Sequence, residues 1–220
     1  MGTAAVQTRG HEATQAVVFD LGGVLVNWQP PRLIQSIWPD RAPTEDRARE
    51  WAQAVFQSFV PGSAWSEFDR GALPPDEVAR RIAERIGVQP AEMVRLMDAI
   101  APHLAPMQPT VQWLQELAAA GTRLHFLSNM PAPFVAHLRQ HHRFLDLFHS
   151  GVFSCDVGQV KPQAEIFETA ARQLGLRPEV SVFIDDHVAN VETARTLGWR
   201  AVLFKDAAQC RDELRERGWL

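Results

Sequence analysis

Three short apolar runs in this sequence end on residues that can do chemistry, and a fourth candidate precedes a helix. Ala16-Val17-Val18-Phe19 ends at Asp20, Arg123 to Leu127 ends at Ser128-Asn129, Val180 to Ile184 ends at Asp185-Asp186, and Gly158-Gln159-Val160 leads to Lys161. Any one of these has an ordinary reading, since Asp and Ser are common in turns and caps. Brought to one edge they form a reactive set. Two like charges about 4 Å apart cost roughly 4 kcal/mol at an effective dielectric near 20, so Asp20, Asp185 and Asp186 call for a divalent cation. A set of oxygen ligands with open positions favours Mg²⁺, which keeps several waters and binds substrate phosphate. Lys161, followed by Pro162 at a helix start, supplies a positive charge where backbone N–H groups also face anions. Ser128 and Asn129 add neutral hydrogen bonds, and Asn190 is spaced to hold the aspartates from behind. The set suits a negatively charged substrate, and a carboxylate can attack phosphorus or carbon to form a covalent intermediate. The pair Gly22-Gly23 allows the chain to turn tightly beside a ligand.

Positioning these residues requires strands. Runs that are apolar at nearly every position suit a parallel sheet buried on both faces, and ligands of such sheets bind beyond the carboxyl ends of the strands. Weaker runs at Gly151–Ser154 and Arg200–Phe204 complete five. Between them lie helical stripes: Trp113, Leu114, Leu117 and Ala118; Ile166, Phe167, Ala170, Ala171 and Leu174; Val188, Val191, Ala194 and Leu197, each stopped by a glycine. This alternation predicts an α/β fold, a doubly wound parallel sheet. From Trp28 to Met107 only helical periodicity is present: Trp51, Val55, Phe56 and Phe59; Val78, Ile82 and Ile86, with Asp76 as expected N-cap; Met93, Leu96, Met97 and Ile100. The expected organisation is a flexible leader over residues 1–13, an α/β core from residues 14–27 and 108–220, and an inserted helical cap over residues 28–107.

Composition narrows the function classes. The chain has 220 residues, 46% hydrophobic and 22% charged, with a net charge of −4, so it offers no basic field for nucleic acid or anionic lipid. No apolar run reaches the length of a membrane span, and the N-terminus has no secretory pattern. Cys155 and Cys210 lack metal-like spacing, and a reduced cytoplasmic setting is the expectation. His137 and His141 have the i, i+4 spacing of zinc ligands, but no acidic or cysteine partner stands beside them, and a solvated helix face is the simpler reading.

The motifs resemble those of the haloacid dehalogenase superfamily. Phe19-Asp20-Leu21-Gly22-Gly23-Val24-Leu25 is similar to its first motif, Leu127-Ser128-Asn129 to its second, Val160-Lys161-Pro162 to its third, and Phe183-Ile184-Asp185-Asp186, extended by Asn190, to its fourth. The resemblance implies that Asp20 is a nucleophile and a Mg²⁺ ligand, that the Gly22 carbonyl, Asp186 and Asp185 complete the protein ligands, and that Ser128 and Lys161 bind the transferring phosphoryl group. It also implies a small-molecule substrate, a phosphate monoester, handled by a monomer or homodimer. The helical insert corresponds to the cap that such proteins carry, and its stretch from Trp65 to Leu73 is the expected substrate-facing loop, with Asp69 and Arg70 as binding residues.

One position departs from the phosphatases of that superfamily. They usually carry a second Asp two residues after the nucleophile as general acid and base, whereas this chain has Gly22. General acid–base help is worth about 10²–10⁴-fold. His187 and Asp69 are the candidate substitutes. A subgroup that includes a sugar-1-phosphate phosphatase also has Gly there, and its Asp-Trp-x-Pro-Arg segment is similar to Asn27-Trp28-Gln29-Pro30-Pro31-Arg32, with Asn in place of Asp. Two other readings stand beside the phosphatase: a metal-independent 2-haloacid dehalogenase, with Arg32 as partner for the substrate carboxylate, and a non-catalytic binding protein on the same fold.

Overall fold

The computed structural model describes residues 15–57 and 60–220. The expected leader and Phe59 lie outside the described residues. Five strands, β1 (Ala16–Phe19), β2 (Leu124–Ser128), β3 (Ser150–Phe153), β4 (Ser181–Asp185) and β5 (Arg200–Leu203), form one parallel sheet in the order β3-β2-β1-β4-β5. Each expected run became a strand, with ends shifted by one residue at most. Because side chains alternate across a strand, β1 sends Val17 and Phe19 into one apolar cluster and Ala16 and Val18 into another. Both faces are dry, which is why the run is apolar throughout.

Helices α7 (Gln108–Ala119), α8 (Ala132–His141) and α12 (Ala207–Glu216) contribute to the first cluster. There Trp113 packs edge-on to Phe19 at 5.4 Å. Helices α10 (Ala164–Leu174) and α11 (Val188–Thr196) contribute to the second, where Phe167 meets Phe183 at 5.4 Å. A single turn, α9 (Ser154–Val157), follows β3 directly. Helix α12 was not expected; Asp206 caps it by accepting a hydrogen bond from the Gln209 amide at 2.8 Å.

Between β1 and α7 the chain is helical, as its periodicity predicts. It forms α1 (Pro30–Ile37), α2 (Glu45–Phe56), α3 (Ala64–Asp69), α4 (Pro75–Ile86), α5 (Pro90–Asp98) and α6 (Ile100–His103). Helix α4 starts one step earlier than expected: Pro74 is the N-cap, Pro75 opens the helix, and Asp76 sits in the first turn, where its charge faces the positive helix end. The segment leaves and rejoins the sheet layer at adjacent points. The Asn27 amide donates to the Ala105 carbonyl, and the Met107 amide to the Leu25 carbonyl, both at 2.8 Å.

Candidate active site

The sheet register brings the carboxylates together. Phe19 pairs with Ile184, so Asp20 and Asp185 leave neighbouring strands side by side, where strands lie about 4.8 Å apart. Oxygens of Asp20, Asp185 and Asp186 all lie within 4.8 Å of one another. Lys161 reaches into this cluster from the loop before α10. Its Nζ lies 2.6 Å from Asp185 Oδ2 and 3.0 Å from Asp20 Oδ1. Three carboxylates against one ammonium leave a formal charge of minus two.

Each group is braced. Asp20 Oδ1 also accepts from the Leu21 amide at 2.7 Å. Asp185 accepts from the His187 amide at 2.8 Å and from Asn190 Nδ2 at 2.9 and 3.0 Å, so Asn190 stands behind Asp185. Gly23 has φ +73°, and a Cβ there would lie 2.3 Å from Asp186 Oδ2. Only glycine allows the turn after Asp20 to pass that close to Asp186.

The charges respond to this crowding. Burial raises the Asp20 carboxyl, and despite the opposing pull of Lys161 it is pushed up to about 6, with Asp185 adding to the rise. Asp186, at the rim, is pushed up to about 7, by burial of its carboxylate first and by Asp20 and Asp185 next. Burial works against the Lys161 charge, but Asp185 and Asp20 outweigh it and hold its ammonium above the usual range. These are the marks of a site short of positive charge. Oxygen donors at this spacing fit a small hard cation such as Mg²⁺.

A cavity of about 110 Å³ opens over the cluster, lined by Asp20, Gly22, Lys161 and Asp186 and by the rings of Trp28, Trp65 and Phe134. Asp69 lines it too. Although the sequence around it reads as an exposed loop, Asp69 ends helix α3 and is buried. Burial raises its carboxyl well above the ordinary range; Lys161 lowers it and Asp20 raises it further. Ser128 is buried, and its Oγ has no hydrogen-bond partner in the protein. That is an unusual state for a buried hydroxyl and one that a substrate oxygen would relieve.

The remaining residues expected at the site serve it differently or lie apart from it. Asn129 spends its side chain on Lys161: Nδ2 donates to the Lys161 carbonyl at 2.9 Å, and Oδ1 accepts from the Lys161 amide at 2.8 Å. It holds Lys161 in place. Arg70 is not at the cavity. Its guanidinium turns to Gln163 Oε1 at 3.3 Å and Glu67 at 3.7 Å, a tie between α3 and the loop before α10. Arg32 is exposed and away from the cavity. His137 and His141 stack at 4.3 Å, and among the described residues the only three-residue metal-ligating cluster is the aspartate one.

Sequence reasoning missed Ser154. Its buried Oγ donates to the Asp69 carbonyl and accepts from the Met130 amide at 2.8 Å. One hydroxyl thus ties the end of β3 to α3 and to the loop after β2. Nothing local marks such a residue, because its partners lie 24 and 85 positions away.

The family model of haloacid dehalogenase-like hydrolases matches residues 14–198. The chain belongs to the haloacid dehalogenase-like hydrolases. A sesquiterpene phosphatase of Aspergillus oryzae is 27% identical over 203 residues, 92% of this chain and 95% of that protein. Among solved structures of haloacid dehalogenase-like fold, a family enzyme of Bacteroides thetaiotaomicron in complex with magnesium and inorganic phosphate superposes with a TM-score of 0.67 at 22% identity, covering 88% of this chain and 95% of that one. An L-2-haloacid dehalogenase of Xanthobacter autotrophicus with chloropropionic acid covalently bound superposes with a TM-score of 0.65 at 19% identity, covering 92% and 83%. At these identities the superpositions show the shared fold. No helix among the described residues is long and apolar enough to cross a membrane.

Proposed function

We propose that this hydrolase is a Mg²⁺-dependent phosphatase of a small phosphate monoester, working through a phosphorylated Asp20. The observation that carries this reading is the convergence of Asp20, Asp185 and Asp186 within 4.8 Å around Lys161. Asp20, Asp186 and the Gly22 carbonyl would hold the metal, with Asp185 beside them. Bound there, Mg²⁺ would neutralise charge on the carboxylates and on the phosphoryl oxygens.

In this reading the Asp20 carboxylate attacks phosphorus and the ester oxygen leaves. Lys161 and the unpartnered Ser128 Oγ hold phosphoryl oxygens, so that charge spreading onto them meets fixed donors. Asp69 supplies the proton missing at Gly22: held protonated by burial, it donates to the leaving oxygen. As a carboxylate it then takes a proton from the water that hydrolyses the aspartyl phosphate, which restores Asp20 and releases inorganic phosphate. Residues 28–107 act as a cap that carries Asp69 and Trp65 over a core of residues 14–27 and 108–220.

The relative from Aspergillus oryzae supports phosphate chemistry by its name and by the near-complete overlap of the two chains. The dehalogenase reading is weakened because Arg32 is exposed and, among the described residues, no arginine lines the cavity to receive a substrate carboxylate. The test is phosphate release from p-nitrophenyl phosphate with Mg²⁺, lost with EDTA and with Asp20→Asn. Absence of release from that ester and from a broad phosphate panel, together with EDTA-insensitive halide release from 2-chloropropionate, would sink the phosphatase reading.

A further inference from the structure

The reactive groups make up part of the cavity lining, and the leaving group must sit against the rest. That apolar lining is formed by Trp65, Phe134, Met130, Ile100 and Leu104, all buried in the protein, with Trp28 beside them. The rings form a connected wall. Trp65 meets Phe56 at 4.7 Å, stacks on Trp28 at 6.4 Å and on Phe134 at 6.4 Å.

Most polar side chains lining the cavity belong to the reactive cluster or brace it; beside them stand His187 and Asn190 Oδ1, a buried oxygen without a hydrogen-bond partner. Asn129 is spent on Lys161, and the Asn190 amide nitrogen on Asp185. Among the described residues, Lys161 is the only lysine or arginine lining the cavity and is already paired with two carboxylates. A sugar would bury its hydroxyls against indole and phenyl rings, where each unpaired hydroxyl forfeits its hydrogen bonds to water. A nucleotide would bring further charge with no cation to meet it.

A second hollow adjoins the first. Trp28 and His187 line both, and beyond them a groove of about 570 Å³, roughly five times the volume of the chamber, runs past Pro30, Pro31, Ala52, Phe56 and Val60. The chamber is too small to enclose a long chain, and the groove beside Trp28 continues it with mostly apolar walls, Arg49, Gln53 and Gln57 lining it as well.

We propose that the substrate is the monophosphate of a hydrophobic alcohol, its first carbons packed in the chamber walled by Trp65, Phe134 and Met130 and a longer tail leaving past Trp28 into the groove. This rests on the phosphatase reading and names the substrate class of the same site. Burial of each added methylene then raises kcat/KM, by about fourfold per group while the chain remains inside.

The experiment measures Mg²⁺-dependent phosphate release from n-alkyl phosphates of increasing length, with glucose 1-phosphate and p-nitrophenyl phosphate alongside. The expected result is a kcat/KM that climbs from ethyl to hexyl phosphate, stays high for dodecyl phosphate and is at least a hundredfold lower for glucose 1-phosphate. Val60→Glu, an exposed change in the groove, is expected to lower the dodecyl-to-hexyl ratio of kcat/KM at least fivefold. Activity on p-nitrophenyl phosphate with glucose 1-phosphate preferred over every alkyl ester overturns the substrate class and leaves the phosphatase reading standing. Hexyl phosphate preferred but dodecyl phosphate rejected overturns the role of the groove. No release from any ester overturns the phosphatase reading, and the substrate class with it.

Discussion

Asn129 grips Lys161 by its backbone from both sides, donating to its carbonyl at 2.9 Å and accepting from its amide at 2.8 Å. The two residues come from different loops, one after β2 and one before α10, and the grip fixes where the Lys161 side chain enters the cluster. Asn129→Ala is therefore expected to lower kcat by about 10–100-fold, the usual cost of losing a residue that orients a reactive group. Steady-state kinetics beside a thermal melt checks this; an unchanged kcat would show that Lys161 needs no such grip.

Asp69 offers a sharper test because its proposed task depends on the leaving group. Asp69→Asn keeps the shape and removes the proton. Turnover of an alkyl phosphate is expected to fall by about 10²–10⁴-fold, while p-nitrophenyl phosphate, whose leaving group needs no protonation, loses far less. Equal losses on both esters would assign Asp69 to binding or packing instead.

The crowded carboxylates make stability depend on pH. Asp20 and Asp186 rise from 3.8 to about 6 and about 7, so the folded chain binds protons that the unfolded chain has released. Stability of the metal-free protein is then highest below about pH 4 for these two groups and declines as pH rises through 6 to 7. A divalent cation needs the deprotonated carboxylates and reverses the loss. Melting temperatures in EDTA and in excess Mg²⁺, compared near pH 5 and near pH 8, should show the larger Mg²⁺ increment near pH 8. Equal increments would count against an aspartate metal site. By the same logic Asp20→Asn, while inactive, is expected to melt no lower than the parent near pH 8 without metal.

Gly23 is constrained twice, by φ +73° and by the 2.3 Å that would separate an added Cβ from Asp186 Oδ2. Gly23→Ala is expected to cost about 1 kcal/mol or more of stability and to weaken Mg²⁺ activation by displacing Asp186. A Mg²⁺ titration of activity that matches the parent would contradict this.

The sheet and its reactive edge were legible because strand burial and strand ends leave local marks: Val17 to Phe19 are apolar in succession, and Asp20 breaks the run. The chemistry of Asp69 was harder to read. Glu67, Asp69, Arg70 and Gly71 are a polar cluster that reads as an exposed loop, yet Trp65 and Phe68 pull α3 inward and take Asp69 with them. Arg70, one residue on, turns the other way, to Gln163. The apolar lining of the cavity joins Trp65 to Phe134, two residues 69 positions apart in the sequence, and no local pattern predicts such a meeting.

The paired hydrogen bonds at Leu25–Met107 and Asn27–Ala105 place the two ends of the intervening helical segment next to each other. A segment whose ends already touch can be exchanged for another of different length without moving β1 or α7. The segment that carries Trp65 and Asp69 can thereby vary while β1 and the Asp20 at its end keep their place in the sheet.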